Sequence, residues 1–357
     1  MSGITVDIAV IGAGVTGLTC ASELQKAGYA VTVLEKSRGL GGRVATRRIQ
    51  DTCFDYGLPS LVAQGALTQQ WIDQGRQQAL LKPWPWPTYV RRDDGTLDRG
   101  SEARPVDQYI APAGMTAIAK DLANGLDVRR QHRVGNLSPQ AGHWQVQMVP
   151  LGESAPDPIS ARAIALTVPA PQAADLLRPL TSSGLPVKLI QEIESVEFEP
   201  CLTAIAGYSF PEEPAEPLPD PWGAIRFEPG APLRWLGIDS SKRLDAGESS
   251  LAPIVVYHSS PEFARQHLEA PDLDSVGRHL LDWAGAQLIP WLASPEWLQV
   301  HRWRYAFCCR PLNGRSLHTI QPLPLVCGGD WCGGHTIESA IQSGLAMAKR
   351  MNSLLNR

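Results

Sequence analysis

The stretch "IAVIGAGVTGLTCASELQKAGYAVTVLEK", Ile8 to Lys36, changes its hydrophobic period twice. Ile8, Ala9, Val10 and Ile11 form an uninterrupted apolar run, the pattern of a short strand. Leu18, Ala21, Leu24 and Ala27 then recur at the spacing of one helix face. Gly28 ends that pattern as a helix C-terminal glycine does. "AVTVLEK" returns to strand, with Glu35 at its end. The predicted order is strand, glycine turn, helix, strand, acid.

Farther along, "CLTAIAGYSF", "WGAIRFEP", "LRWLGIDSS" and "APIVVYHSS" alternate as strands of an antiparallel sheet. "DLDSVGRHLLDWAGAQL" follows them as an amphipathic helix. "KPWPWPTYVRRDDGTLDRG" is dense in turn signals, and its "DDG" predicts a hairpin on the same sheet. The proline- and acid-rich Pro211–Pro221 reads as a solvated loop. The fold class expected is therefore α/β. A discontinuous Rossmann-type domain takes residues 1–60, 105–170 and 300–357. A substrate domain of mostly antiparallel sheet plus helices takes 61–104 and 171–299.

The glycines give the opening its chemistry. Gly12 makes the tight turn, Gly14 lets backbone approach a pyrophosphate, and Gly17 lets helix pack on strand. The helix N-terminus offers N–H groups and a positive dipole end to phosphates. Glu35 can accept hydrogen bonds from ribose hydroxyls and repels a 2′-phosphate. A second pair, Gly41 and Gly42, precedes Arg43, whose planar fork can bond two phosphate oxygens. A plain NAD site does not need this second loop, so FAD is the expected dinucleotide. One full fingerprint is present, so a separate nicotinamide module is not expected. No Cys-x-x-Cys lies beside the first helix, which argues against a redox disulfide.

Charge and composition narrow the classes. A net charge of −4 over 357 residues gives no broad basic field for nucleic acid. No apolar run is long enough to cross a membrane, and no signal peptide is evident. Seven scattered cysteines, without metal-type spacing, suit reduced thiols in a cytoplasmic protein. Eleven tryptophans are enough to fill cores and also line a pocket for a planar ring.

With GxGxxG, the acid and GGR in place, the chain resembles the flavin-containing amine oxidase superfamily. "VCGGDWCGGHTIESAIQSGLAMAKRM" looks like that family's closing segment. The resemblance implies that Asp330 lies near the ribityl-pyrophosphate chain and that His335, Thr336 and Ile337 open a helix aimed at the isoalloxazine. It implies an adenine-clamping strand near Val134, and adds Val15, Thr16, Lys36, Asp55, Tyr56 and Gly57 to the cofactor residues. Cys332 is expected to be a free thiol, with the FAD non-covalent. "GGRVATRR…FDYG", "YIAPAGMTAIAKDL" and "HRWRYAF" are similar to renalase and its bacterial relatives. That branch implies hydride removal from off-pathway dihydronicotinamide isomers, with O₂ giving H₂O₂. The alternatives are an amine oxidase for a small amine, a carotenoid-desaturase-like enzyme and a flavin protein without turnover. Leu58-Pro59-Ser60 departs from the Ala-Gln-Tyr usual after the Asp-x-Gly of that branch. On the substrate side, strand alternation in "HRWRYAF" puts Trp303 and Tyr305 on one face as an aromatic wall. Arg302 and Arg304 take the other face, for flavin or phosphate, and His335 completes the catalytic candidates.

Overall fold

A computed structural model describes residues 4–49, 52–99, 107–150, 156–209, 222–243 and 252–355. Pro211–Pro221 lies outside the described residues. The predicted opening is present as strand β1 (Ile4–Ile11), helix α1 (Val15–Lys26) and strand β2 (Val31–Glu35). These strands belong to an eight-stranded sheet. Its centre is five parallel strands in the order Asp127–Arg130, β2, β1, Ile159–Leu166, Leu325–Cys327.

Both faces of that centre are covered, which is why Ile8–Ile11 of β1 reads as an unbroken apolar run and every residue of β2 is buried. Ile8 and Val10 pack toward α1 and the C-terminal helix (Ile337–Leu354), against Leu18, Leu24, Ile341 and Met347. Ala9 and Ile11 pack the other way, against Ala173, Leu177, Ile190 and Ile193. Burying each large aliphatic chain here is worth about 1.5–3 kcal/mol.

The second sheet has seven strands, in the order Trp297–Arg310, Glu197–Gly207, Ile254–Ser259, Leu233–Ile238, Ala224–Phe227, Thr88–Arg91, Leu97–Asp98. All pairs are antiparallel except Ala224–Phe227 with Thr88–Arg91. Period-two alternation divides its faces. Leu202, Ala204, Val255 and Tyr257 face the helices Pro261–His267 and Leu273–Gln287. Ile205, Val256 and Trp235 face Phe54, Trp84 and Ile110 of the other half of the molecule.

The predicted "DDG" hairpin is present: Gly95 N donates to Arg92 O between two strands of this sheet. Two expected segment placements differ. The strand Trp297–Arg310 pairs along Glu197–Gly207, so the chain returns to the first sheet at Leu317–Thr319 and not at 300. The helices Ala170–Leu177 and Val187–Glu194, expected in the substrate half, cover the first sheet. Their apolar faces suit either sheet, and only the packing distinguishes them. Most tryptophans are structural. Trp144 is fully buried in the first core, and Trp84, Trp235 and Trp297 fill the space between the sheets.

Candidate active site between two glycine loops and the second sheet

The two glycine loops lie side by side. Gly41 N donates to Ala13 O at 2.8 Å, and Gly14 and Gly41 form a bridge. Gly12 has φ +108°, a conformation that side chains rarely adopt. A Cβ on Gly17 would sit 2.0 Å from Gly12 O, so helix–turn contact requires glycine there. Gly14 is different: a Cβ there would meet nothing within 4 Å. At Gly42 the nearest atom would be Gly14 Cα, at 3.6 Å. Two backbones therefore border open ground at the start of α1. No side chain caps that helix, so its first N–H groups remain available to an anion. The start of the C-terminal helix joins them, since Thr16 Oγ1 donates to Ala340 O at 3.0 Å. Thr336 caps that helix, accepting from Ser339 N, with the exposed His335 just ahead of it. A dinucleotide pyrophosphate fits this donor set: bare glycine backbone, uncapped N–H groups and helix dipoles pointing inward.

Glu35 ends β2 beside the same turn. Its oxygens accept from Ala13 N at 2.9 Å and Ser37 N at 2.8 Å, which fixes the carboxylate, and each oxygen keeps a second lone pair. His132 N donates to Glu35 O, bringing the chain ahead of Val134 across the end of β2. Val134 itself packs with Leu34. We predict that Glu35→Ala weakens FAD binding by about 1–3 kcal/mol, the range for a lost hydrogen bond to a charged group. Titrating apoprotein with FAD measures this, and an unchanged dissociation constant would remove Glu35 from the site.

Other expected residues are used differently. Arg43 turns to Asp330, Nη2 to Oδ1 at 2.6 Å, and to Ala306 O at 3.1 Å, so its two neighbours are protein groups. This pairing ties the second loop to the closing segment. Lys36 is exposed and reaches Gln172. Gly57 runs along the second loop, where a Cβ would sit 2.1 Å from Arg43 O. Asp55 needs correcting as a cofactor ligand. It is fully buried, and both oxygens are engaged: Oδ1 by Thr46 Oγ1 and Met115 N, Oδ2 by Lys242 Nζ at 3.1 Å. Lys242 also reaches Asp239 at 2.6 Å, and Arg243 joins Asp239 at 2.6 Å. Burial opposes the charge of Arg243, but Asp239 and Asp55 outweigh it and hold its pKa above the usual value. This closed ion cluster joins the strand Thr52–Asp55 to the second sheet.

Arg302 and Arg304 also fall away from the cofactor side. Arg302 donates to Ala270 O and Arg304 pairs with Glu269, both on the outer face. Trp303 is on the inner face as predicted, with its ring stacked on Tyr56 at 5.3 Å and 22°. Its Nε1 donates to Tyr56 O at 3.0 Å. Tyr305 is not part of that group; it meets Phe198 edge-on at 5.7 Å. In its place is His301, 4.9 Å from Tyr56 and 4.4 Å from Trp303 by ring centroids. Arg47 lies over the Tyr56 ring at 5.3 Å and bonds Gln299. Among the described residues Arg47 has no carboxylate partner. Sequence reading missed Arg47, His301 and the Lys242 cluster. The cluster's hint was "DSSKR", an acid followed at three and four residues by two cations amid apolar strands, and His301's was the same strand alternation that placed Trp303.

All seven cysteines are unpaired, and burial pushes the Cys332 thiol up to about 12, which leaves it inert. A groove of about 480 Å³ between α1, the helix Ala66–Gln77 and the C-terminal helix is lined by Leu67, Trp71 and Leu345 and includes no residue of the glycine loops or aromatic group.

Residues 10–73 match the NAD(P)-binding Rossmann-like domain, and residues 52–352 match the flavin-containing amine oxidoreductases. A putrescine oxidase structure with bound putrescine is similar over 100% of both chains, at TM-score 0.69 and 14% identity. A provisionally assigned protoporphyrinogen oxidase from Exiguobacterium sp. 255-15 is similar at TM-score 0.70 and 14% identity, again over 100% of both chains. A 4,4′-diapophytoene desaturase of Staphylococcus haemolyticus strain JCSC1435 is 46% identical over 55 residues. That match spans 15% of this chain and 11% of the desaturase. Among the described residues no helix is long and apolar enough to cross a membrane.

Proposed function

The chain belongs to the flavin-containing amine oxidoreductase family, with FAD as its cofactor, and from that premise we propose that this FAD-dependent oxidoreductase is a renalase-like oxidase. Its substrates are then 2- and 6-dihydro isomers of NAD(P), oxidised to NAD(P)⁺. When bound, FAD accepts the hydride and its two electrons reduce O₂, with protons, to H₂O₂. The observation that carries the reading is the aromatic group Tyr56, His301 and Trp303 beside the cation Arg47, which has no carboxylate partner among the described residues.

That arrangement favours a flat, uncharged ring carrying anionic groups elsewhere. The rings supply stacking surface, and Arg47 supplies attraction for a phosphate. A dihydropyridine that loses hydride becomes an aromatic pyridinium, so no side chain has to take a proton from it. His301 suits this. Burial first, and Arg47 second, push its pKa down to about 4, so it is neutral at neutral pH. An ammonium substrate, as in a putrescine oxidase, would meet Arg47 with like charge and find no unmatched carboxylate in the aromatic group. That ranks amine oxidation second.

The test is product formation in air. Each isomer should yield one H₂O₂ per NAD(P)⁺, and ordinary NADH should yield far less. H₂O₂ from putrescine or benzylamine, with none from the isomers, would overturn the reading in favour of an amine oxidase.

A further inference from the structure

The inner face of the second sheet carries a polar row that the cofactor does not account for. Thr203 is in register with His301 on one neighbouring strand and with His258 on the other. His258 is in turn in register with Trp235, their ring centroids 5.1 Å apart. The order across the sheet is His301, Thr203, His258, Trp235. Tyr56 lies over this row and meets His301 edge-on.

Two members of the row lack partners. His258 Nε2 and Thr203 Oγ1 are buried without a hydrogen bond. His258 is 8% exposed and Thr203 fully buried. Leaving such groups unpaired costs about 1–3 kcal/mol each, a cost that a bound group able to donate and accept hydrogen bonds would remove. The chemistry of that group follows from the charges around it. Burial, then Lys242, push the His258 pKa down to about 3, so its ring is neutral, and the tautomer with its proton on Nδ1 presents Nε2 as an acceptor. The acids buried beside Lys242, namely Asp55 and Asp239, are already matched by Lys242 and Arg243. A cation would add to Arg47 and Lys242 with no counter-charge; a neutral N–H donor would not.

We propose that His258 and Thr203, flanked by His301, form the subsite for an uncharged headgroup that both donates and accepts hydrogen bonds, a carboxamide on a flat ring. This rests on the reading that the face of the second sheet under Tyr56 holds the substrate. His258 Nε2 accepts from the amide N–H₂, and the Thr203 hydroxyl donates to the amide oxygen. Specificity follows, because an analogue that leaves these buried groups unpaired is strongly rejected.

The test titrates the holoprotein with three ligands sharing one ring: nicotinamide, 3-acetylpyridine, which lacks the N–H, and 3-picolylamine, which is a cation. Perturbation of the flavin band reads binding. Nicotinamide should bind at least about tenfold tighter than the other two, a difference of about 1.4 kcal/mol. His258→Phe should lose that preference at unchanged flavin content, and Thr203→Val should reduce it. Equal binding of the three, tightest binding of the amine, no perturbation by nicotinamide, or a preference that survives in His258→Phe would each overturn the subsite. The dihydro-isomer assay fails separately. Turnover of isomers without amide preference sinks the subsite alone, and amide preference without turnover sinks the isomer reading alone.

Discussion

Gly14→Val should give a folded, colourless protein. Gly14 has φ −77° and ψ 178°, extended backbone that any residue adopts. A Cβ there meets no protein atom within 4 Å, so a side chain can start at this position without a protein clash. What it occupies is the ground between the two glycine loops, where backbone must approach a pyrophosphate. Flavin content should fall below about a tenth of the wild type, and the FAD dissociation constant should rise at least about 100-fold, roughly 2.8 kcal/mol. The stability of the apoprotein should change by less than about 1 kcal/mol, as for an uncrowded substitution. Gly17→Val is the contrast. Its Cβ would overlap Gly12 O, so that variant should fail to fold for reasons unrelated to cofactor. A yellow Gly14→Val protein with ordinary FAD affinity would place the pyrophosphate elsewhere.

Lys242→Met should cost about 3–5 kcal/mol, because it breaks a buried ion cluster by removing one partner. Lys242 and the carboxylates of Asp55 and Asp239 are fully excluded from solvent, and Lys242 bonds both. Arg243 alone would face two buried carboxylates, at 2.6 Å from Asp239 and 3.6 Å from Asp55. A loss of that size is a large part of the whole stability of a typical protein. Urea unfolding at neutral pH measures it. The double variant Lys242→Met with Asp239→Leu restores charge balance and should recover part of the loss, giving a coupling of opposite sign to the single effects. If Lys242→Met lies within about 0.5 kcal/mol of wild type, the cluster is solvated and does not tie the two sheets together.

How much of this could be read from the chain depends on sequence distance. The first dinucleotide loop was fully legible because strand, glycines, helix and acid follow one another within Ile8–Lys36. The second loop was legible as Gly41-Gly42-Arg43, but the partner of Arg43 was not, since Asp330 is 287 residues away. Trp303 was found by alternation along a strand. His301, two residues earlier on the same strand, shares that face by the same alternation and was passed over. Tyr56 depends on which segment lies over the strand, and local pattern carries no such information. The same blindness put Trp297–Arg310 in the wrong half. The strand's periodicity is the same in either sheet, and only the register with Glu197–Gly207 decides. Asp55 reads as a cofactor residue only through the family resemblance. Its cationic partners Lys242 and Arg243 arrive from a turn nearly two hundred residues later and close it off. His258 gave no signal, because its empty Nε2 is a property of packing alone.

The proposed enzyme is a flavin protein whose substrate face takes hydride from a neutral dihydropyridine ring. The measurement that tests it most directly is anaerobic mixing of the purified yellow protein with the 2-, 4- and 6-dihydro isomers of NAD, each separately, while following the flavin band. Rapid bleaching by the 2- or 6-isomer, and not by the ordinary 4-dihydro form, is expected. A flavin that stays oxidised with all three, yet bleaches with a small amine, would contradict it.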